Sequence, residues 1–309
     1  MIRFNDKSEC AVEYGKFNKA PGRRFFAGAA LAMVAAAMGI VMSGKTAEAV
    51  TLEKVNARGY ITIAIANEIP GSYTDANGEV KGAQADVARR VLEKMGIKAD
   101  NIQWLVTTFS SLIPGLQANR FDMTAAAMAI RPERCQKVIY SEPSSSYGEG
   151  MLVIKGNPKN LHSYEDVAKD GTVAIMAGAD QLRMMQALGM SEDRILTIAA
   201  NADAISAIAT GRADAYAASI NTVADLAKKN DKTELASPFK DPVIDGKVQR
   251  SWGAFNFNKN STDLRDKFNE ALLEFRKTDE FKQILLEYGS IPESVAAVTT
   301  KTTNELCSQ

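Results

Sequence analysis

From residue 60 onward the chain alternates short β-branched runs with stretches whose apolar residues recur at helical spacing, and it does so in two successive rounds. Residues 60–66 (YITIAIA) read as a strand. Asn77-Gly78 marks a tight turn, and Val87, Ala88, Val91, Leu92 and Met95 give residues 85–95 the spacing of a helix with one buried face. Residues 102–106 then read as strand, 112–118 as helix and 121–125 as strand. The second round starts at Gly150, with strands at 151–156, 172–176, 195–198 and 213–216. Between and after them come a helical turn at 163–168 opening on a Ser163 cap and helices at 180–188, 202–210 and 221–229. Helices long enough to cross over predict parallel sheets covered on both faces, an α/β fold class. Residues 251–257 are again strand-like, and 262–288 form a charged amphipathic helical region broken near Thr278. These last pieces are too few for a third domain and are expected to return to the first lobe. The expectation is two α/β lobes, 50–148 with 250–309 and 149–249, joined by two hinge strands that cross near 147–152 and 248–252. A cleft between two such lobes is where small ligands are held.

Ahead of this pattern, Arg23 and Arg24 precede an 18-residue apolar run that starts at Phe25, and Ala47-Glu48-Ala49 supplies the small-x-small pattern a signal peptidase accepts. The run nearly spans a bilayer as helix. It is mostly alanine, however, and the cleavage pattern follows at once, so residues 1–49 are expected to be a signal peptide and the mature protein to be periplasmic. Arg23-Arg24-Phe25-Phe26 after a long polar leader resembles a twin-arginine signal with Gly22 where Ser or Thr is usual, although general secretion signals also carry paired arginines.

The 37 basic and 37 acidic side chains balance, and cleavage after Ala49 would remove seven of the first and four of the second to leave a net charge of −3. That balance excludes the polycation expected of a nucleic-acid binder. One His and three Cys are too few for a structural zinc site or an iron–sulfur centre, so no metal or cofactor is expected. Cleavage also removes Cys10 and leaves Cys135 and Cys307, which either bridge in an oxidising compartment or stay as two free thiols. His162, in KNLHSYED, has no Cys partner and no nucleophile elbow and reads as a surface loop residue, which leaves a histidine-based triad without its base. The chain is therefore not expected to be an enzyme.

Two loop residues after strands stand out. Glu68 follows the first strand, where open sheets place ligand groups, and a carboxylate there can hold an ammonium or amidinium centre. Arg134 follows the strand in FDMTAA, and its planar fork can grip a carboxylate bidentately; Arg131 is the alternative for that part. Together they suit a small zwitterion. Ala177-Gly178-Ala179-Asp180 joins a strand to a helix, either as an anion-binding helix start or as an ordinary turn capped by Asp180, and it lacks both nucleotide-binding glycine patterns. Phe109, Tyr73, Tyr147 and Trp252 are aromatics near loops or hinges, whereas Met184, Met185 and Met190 read as core.

The segments YITIAIANEIPGSYTDANGEVKGAQADVARRVLEKMG (60–96), SSLIPGLQANRFDMTAAAMAIRPERCQKVIYSEP (110–143), GRADAYAASINTVADL (211–226) and SVAAVTTKTTNELC (294–307) resemble the family 3 solute-binding proteins of bacterial ABC importers, and most closely the ectoine- and hydroxyectoine-binding members. The resemblance implies a periplasmic binding protein-like II fold and a monomer that delivers its solute to an inner-membrane ABC permease. It assigns the carboxylate clamp to Arg134, the nitrogen-bearing end to Glu68, and closure over the carboxylate to the turn of Gly178, Ala179, Asp180 and Gln181. Phe109 matches one ring of the ectoine cage, while the other ring positions fall on Gly71 and Ala129, with Tyr73 nearby and Met128 adjacent. Ser219 stands where amino-acid binders carry an ammonium-holding Asp, and the loss of two rings enlarges the pocket, so a polar amino acid or other linear zwitterion fits as well as an ectoine-like compatible solute. The resemblance also implies the Cys135–Cys307 bridge. A sensor module for an amino-acid-like ligand, or a dehydratase of the cyclohexadienyl type, would share the same fold.

Overall fold

The computed structural model describes residues 50–308, so the expected signal peptide, its arginine pair and its cleavage site lie outside the described residues. Two sheets organise the described chain. The first runs Ile102–Val106, Ile61–Ile65, Met123–Ala129, Ser251–Phe257, Ile139–Tyr140, with Ser145–Tyr147 also paired to Ser251–Phe257. The second runs Ile195–Ile198, Val173–Met176, Ala215–Ser219, Glu149–Ile154, Thr233–Leu235. The protein is thus a two-lobed α/β molecule of the type II periplasmic-binding-protein kind.

The all-parallel expectation needs correction. In the first sheet the three strands joined by helical crossovers are parallel, but Ser251–Phe257 lies antiparallel to Met123–Ala129. Glu149–Ile154 likewise lies antiparallel to Ala215–Ser219 in the second sheet. In each case the odd strand arrives from the opposite lobe rather than through a helix in its own, so it enters from the other end.

Helix Ala83–Lys94 packs Val87, Ala88, Val91 and Leu92 with no exposure against one face of the first sheet, beside Phe268 and Leu272 of helix Thr262–Phe275. The break near Thr278 is a cap: its hydroxyl accepts from the Phe281 N–H and starts helix Asp279–Glu287. Ser163 caps Tyr164–Asp170 in the same way, accepting from the Asp166 N–H at 3.0 Å. Met184, Met185 and Met190 are buried in the second lobe, as their spacing suggested. His162 is half-buried rather than a surface residue, with Nε2 3.0 Å from Asn160 Oδ1.

The chain passes between the sheets at Gly148, from Ser145–Tyr147 to Glu149–Ile154, and returns between Lys247–Val248 and Ser251–Phe257. The two passages are neighbours, since Ser251 pairs with Tyr147 and Trp252 with Ser146. The C-terminal helix Thr303–Cys307, opened by a Thr302–Glu305 capping box, docks on the short helix Pro132–Cys135 through a Cys135–Cys307 disulfide that spans 172 residues of sequence.

Candidate functional site

A cavity of about 110 Å³ opens between the carboxyl ends of the two sheets, with walls from both lobes. Local backbone features build it. After strand Ile61–Ile65 the chain turns through Asn67, whose left-handed backbone (φ 55°) suits asparagine and whose Oδ1 accepts from the Thr74 N–H at 2.8 Å. Glu68 and Ser72 then exchange two backbone hydrogen bonds of 2.8 and 2.9 Å, which fixes the Glu68 carboxyl at the cavity wall. A β-bulge in Met123–Ala129 does the same for the floor. Ala127 takes φ 48° where the register with Ser251–Phe257 shifts, so Ala126, Ala127 and Ala129 all face the cavity and strict alternation is broken.

Glu68 Oε1 accepts from Asn201 Nδ2 across the cleft at 3.3 Å, and Asn201 Oδ1 in turn accepts from the Tyr216 hydroxyl. Burial pushes the Glu68 carboxyl up to about 7, and the Asn201 bond offsets only part of that rise. At the opposite end Arg134 donates to Ala129 O at 3.0 Å and to Gly178 O of the second lobe at 2.9 Å, with its guanidinium carbon 5.9 Å from the Phe109 ring centroid. No carboxylate pairs with Arg134 among the described residues. Its charge therefore faces the cavity uncompensated.

Arg131 is placed differently. Its Nε and Nη2 reach Asp180 Oδ2 at 3.0 and 2.5 Å, and Nη2 also donates to Ser251 Oγ at 3.1 Å. Burial would raise the Asp180 carboxyl, but the Arg131 charge and hydrogen bonds, aided by Arg183, outweigh it and hold the group below the usual carboxylate range. Asp180 makes no capping bond to helix Gln181–Ala187, which corrects the cap reading: the side chain is spent on an interlobe ion pair. The alternative assignment of the free cation to Arg131 is corrected by the same pair.

Of the sequence-derived site residues, Glu68, Phe109, Ala129, Arg134, Ala179, Asp180 and Ser219 line the cavity. Tyr73, Met128 and Gly178 do not line it. Tyr73 is half-buried in a two-residue hairpin strand paired with Lys81, and Met128 points the other way from its strand into the core at 2% exposure. Gly178 contributes only its carbonyl to Arg134; with φ 81° and Ser110 Cα 3.2 Å from where a Cβ would stand, the lobes approach too closely there for a side chain. Ser219 uses its hydroxyl as the cap of helix Ile220–Lys228, accepting from the Thr222 N–H at 3.3 Å.

Sequence reasoning missed Gln84, Asn201 and Tyr216. The signal for Gln84 was present, because Gln84, Val87, Ala88 and Val91 share one helix face and a polar residue in an apolar stripe marks a buried polar group. Asn201 and Tyr216 carried no such mark; one opens a helix and the other sits in a strand.

Residues 61–291 match the family described as bacterial extracellular solute-binding proteins, family 3. Over 285 residues the chain is 78% identical to the probable amino-acid ABC transporter periplasmic-binding protein y4tE of Sinorhizobium fredii, covering 92% of this chain and 95% of that protein. Among solved structures it resembles EhuB in complex with hydroxyectoine, with TM-score 0.74 and 30% identity over 82% of this chain and 96% of the other. It also resembles the ancestral amino acid-binding protein AncCDT-1, a precursor of cyclohexadienyl dehydratase, with TM-score 0.65 and 25% identity over 77% and 98%. These likenesses put the protein in the periplasm as the substrate-binding component of an ABC transporter rather than among enzymes. The chain belongs to the bacterial extracellular solute-binding proteins, family 3.

Proposed function

We propose that the protein captures a small zwitterionic solute, either an ectoine-like compatible solute or a polar amino acid, and presents it to the permease as a monomer. The lobes, 50–148 with 250–309 and 149–249, turn about the paired crossings and shut over the solute. The observation that carries this reading is the pairing of an arginine without a carboxylate partner and a half-buried glutamate on the walls of one cavity. Arg134 supplies a fixed fork for a carboxylate and Glu68 a counter-charge for the cationic end. The likeness to EhuB with hydroxyectoine and to amino-acid transporter relatives supports the same solute class. Calorimetric titration of the exported chain with ectoine, hydroxyectoine, glycine betaine and polar amino acids is expected to give heat with at least one of them and none with maltose. Binding of the uncharged sugar alone would sink the reading.

Glu68 also gives closure a pH dependence. With the lobes arranged as described its pKa stands near 7 against an ordinary 4.5 where water reaches it, so bringing the lobes together over the ionised group costs about 3 kcal/mol. That opposition is fully present above about pH 7, fades as pH falls through the range between the two values, and is gone below the lower one. A cationic solute removes it at any pH by supplying the missing counter-charge. Small-angle scattering should therefore find ligand-free Glu68→Gln more compact than wild type at pH 8, with wild type approaching it as pH is lowered to 5. Equal radii for the two proteins at pH 8 would count against this role.

A further inference from the structure

Gln84 lies in the first turn of helix Ala83–Lys94, is 1% exposed and lines the interlobe cavity. Its Oε1 accepts from the Ser144 hydroxyl at 2.6 Å, while its amide nitrogen has no partner among the described residues. The nitrogen is open to the cavity, so an acceptor on the solute can take its hydrogen bond in place of water. The space beside it is open as well. A side chain at Gly71, whose carbonyl accepts from the Gln84 N–H at 2.8 Å, would meet only Glu68 O at 3.5 Å. Tyr288, Ser290 and Asn221 also line the cavity; Asn221 Nδ2 reaches Ser290 Oγ across the lobes at 3.5 Å, and the Tyr288 hydroxyl donates to Asp86 Oδ2 at 2.7 Å. The charged side chains on the cavity wall are Glu68, Arg134 and Asp180, and Asp180 is already paired with Arg131. This stretch of wall, the arm beside Gly71, therefore carries several polar groups and, apart from Glu68, no charged side chain that lines the cavity.

We propose that Gln84 is a specificity-determining residue, and that the solute is a zwitterion carrying an uncharged hydrogen-bonding extension, such as an amide or a urea, in the arm beside Gly71. The inference rests on the zwitterion reading above and names its solute class. A full charge in the arm would lose its hydration without gaining a counter-charge, whereas a neutral carbonyl satisfies the Gln84 donor. A site built around a hydrogen bond also discriminates strongly against analogues that lack it.

The test is calorimetric titration of the exported chain with L-glutamine, L-citrulline, L-glutamate, L-arginine and ectoine. L-Glutamine or L-citrulline is expected to bind at least tenfold more tightly than the two charged amino acids and ectoine. Gln84→Met should remove that preference. Gln84→Glu, which keeps the acceptor for Ser144 and so guards against misfolding of the first variant, should reverse the order of L-citrulline and L-arginine. Ectoine or a charged amino acid binding as tightly as the neutral ones, or a preference that neither variant alters, would overturn the role of Gln84 and leave the zwitterion reading standing. Failure of all five to bind, with hydroxyectoine, glycine betaine and the remaining polar amino acids giving no heat either, would take down both.

Discussion

Replacing Arg134 with alanine is expected to weaken binding of the zwitterionic solute by about 2–5 kcal/mol, roughly 30-fold to several thousand-fold in affinity. The cause is the uncompensated guanidinium: it donates to Ala129 O and Gly178 O and has no carboxylate partner among the described residues, so a solute carboxylate would be its ionic partner in a cleft that excludes water. Arg134→Lys keeps the charge but loses the planar fork and should fall between wild type and alanine. The fold should survive, because the side chain is half-buried at the cleft and its short helix is held by Pro132 at one end and the disulfide at the other. Calorimetry on the three proteins in one buffer checks this. An alanine variant that binds within threefold of wild type would remove Arg134 from the site.

The second large effect concerns the Cys135–Cys307 bridge. It closes a loop across 172 residues, and the chain-entropy estimate for such a loop is about 5 kcal/mol. Cys135→Ser/Cys307→Ser is therefore expected to lose roughly 3–5 kcal/mol by denaturant unfolding, and the wild type should lose a similar amount in reductant. The bridge also pins the helix that carries Arg134, so the double variant should bind its solute more weakly as well as unfold sooner. Thr303 still holds the tail through Ser141 O at 2.6 Å, and Trp252 donates to Ala297 O at 2.8 Å, so the lobe should remain assembled. Unchanged unfolding midpoints in both experiments would mean that those contacts alone fix the tail.

Most of the fold was legible because it rests on local periodicity. The apolar spacing from Val87 to Met95 located helix Ala83–Lys94 within two residues, and strand Ile102–Val106 was read without error. Strand direction was not legible, since whether Ser251–Phe257 lies parallel or antiparallel depends on which lobe it comes from. The short hairpin Val243–Ile244 with Lys247–Val248 left no pattern long enough to read. The place of Glu68 and Arg134 on the cavity wall was legible because strand ends are where an open sheet exposes charge. The division of labour between Arg131 and Arg134 was hidden, because it depends on where Asp180 of the other lobe comes to rest. Met128 was misjudged because the bulge at Ala127 sets which neighbours face the cavity.

Because the two interlobe crossings are hydrogen-bonded to each other at Ser251–Tyr147 and Trp252–Ser146, they behave as one two-stranded ribbon. Separate tethers would let the halves swivel and slide independently. A ribbon resists sliding and leaves bending as its soft motion, like the spine of a book. Under the closure proposed above, occupancy would then be encoded in a single angle between the covers, which a membrane complex touching both of them could read without contacting the cargo.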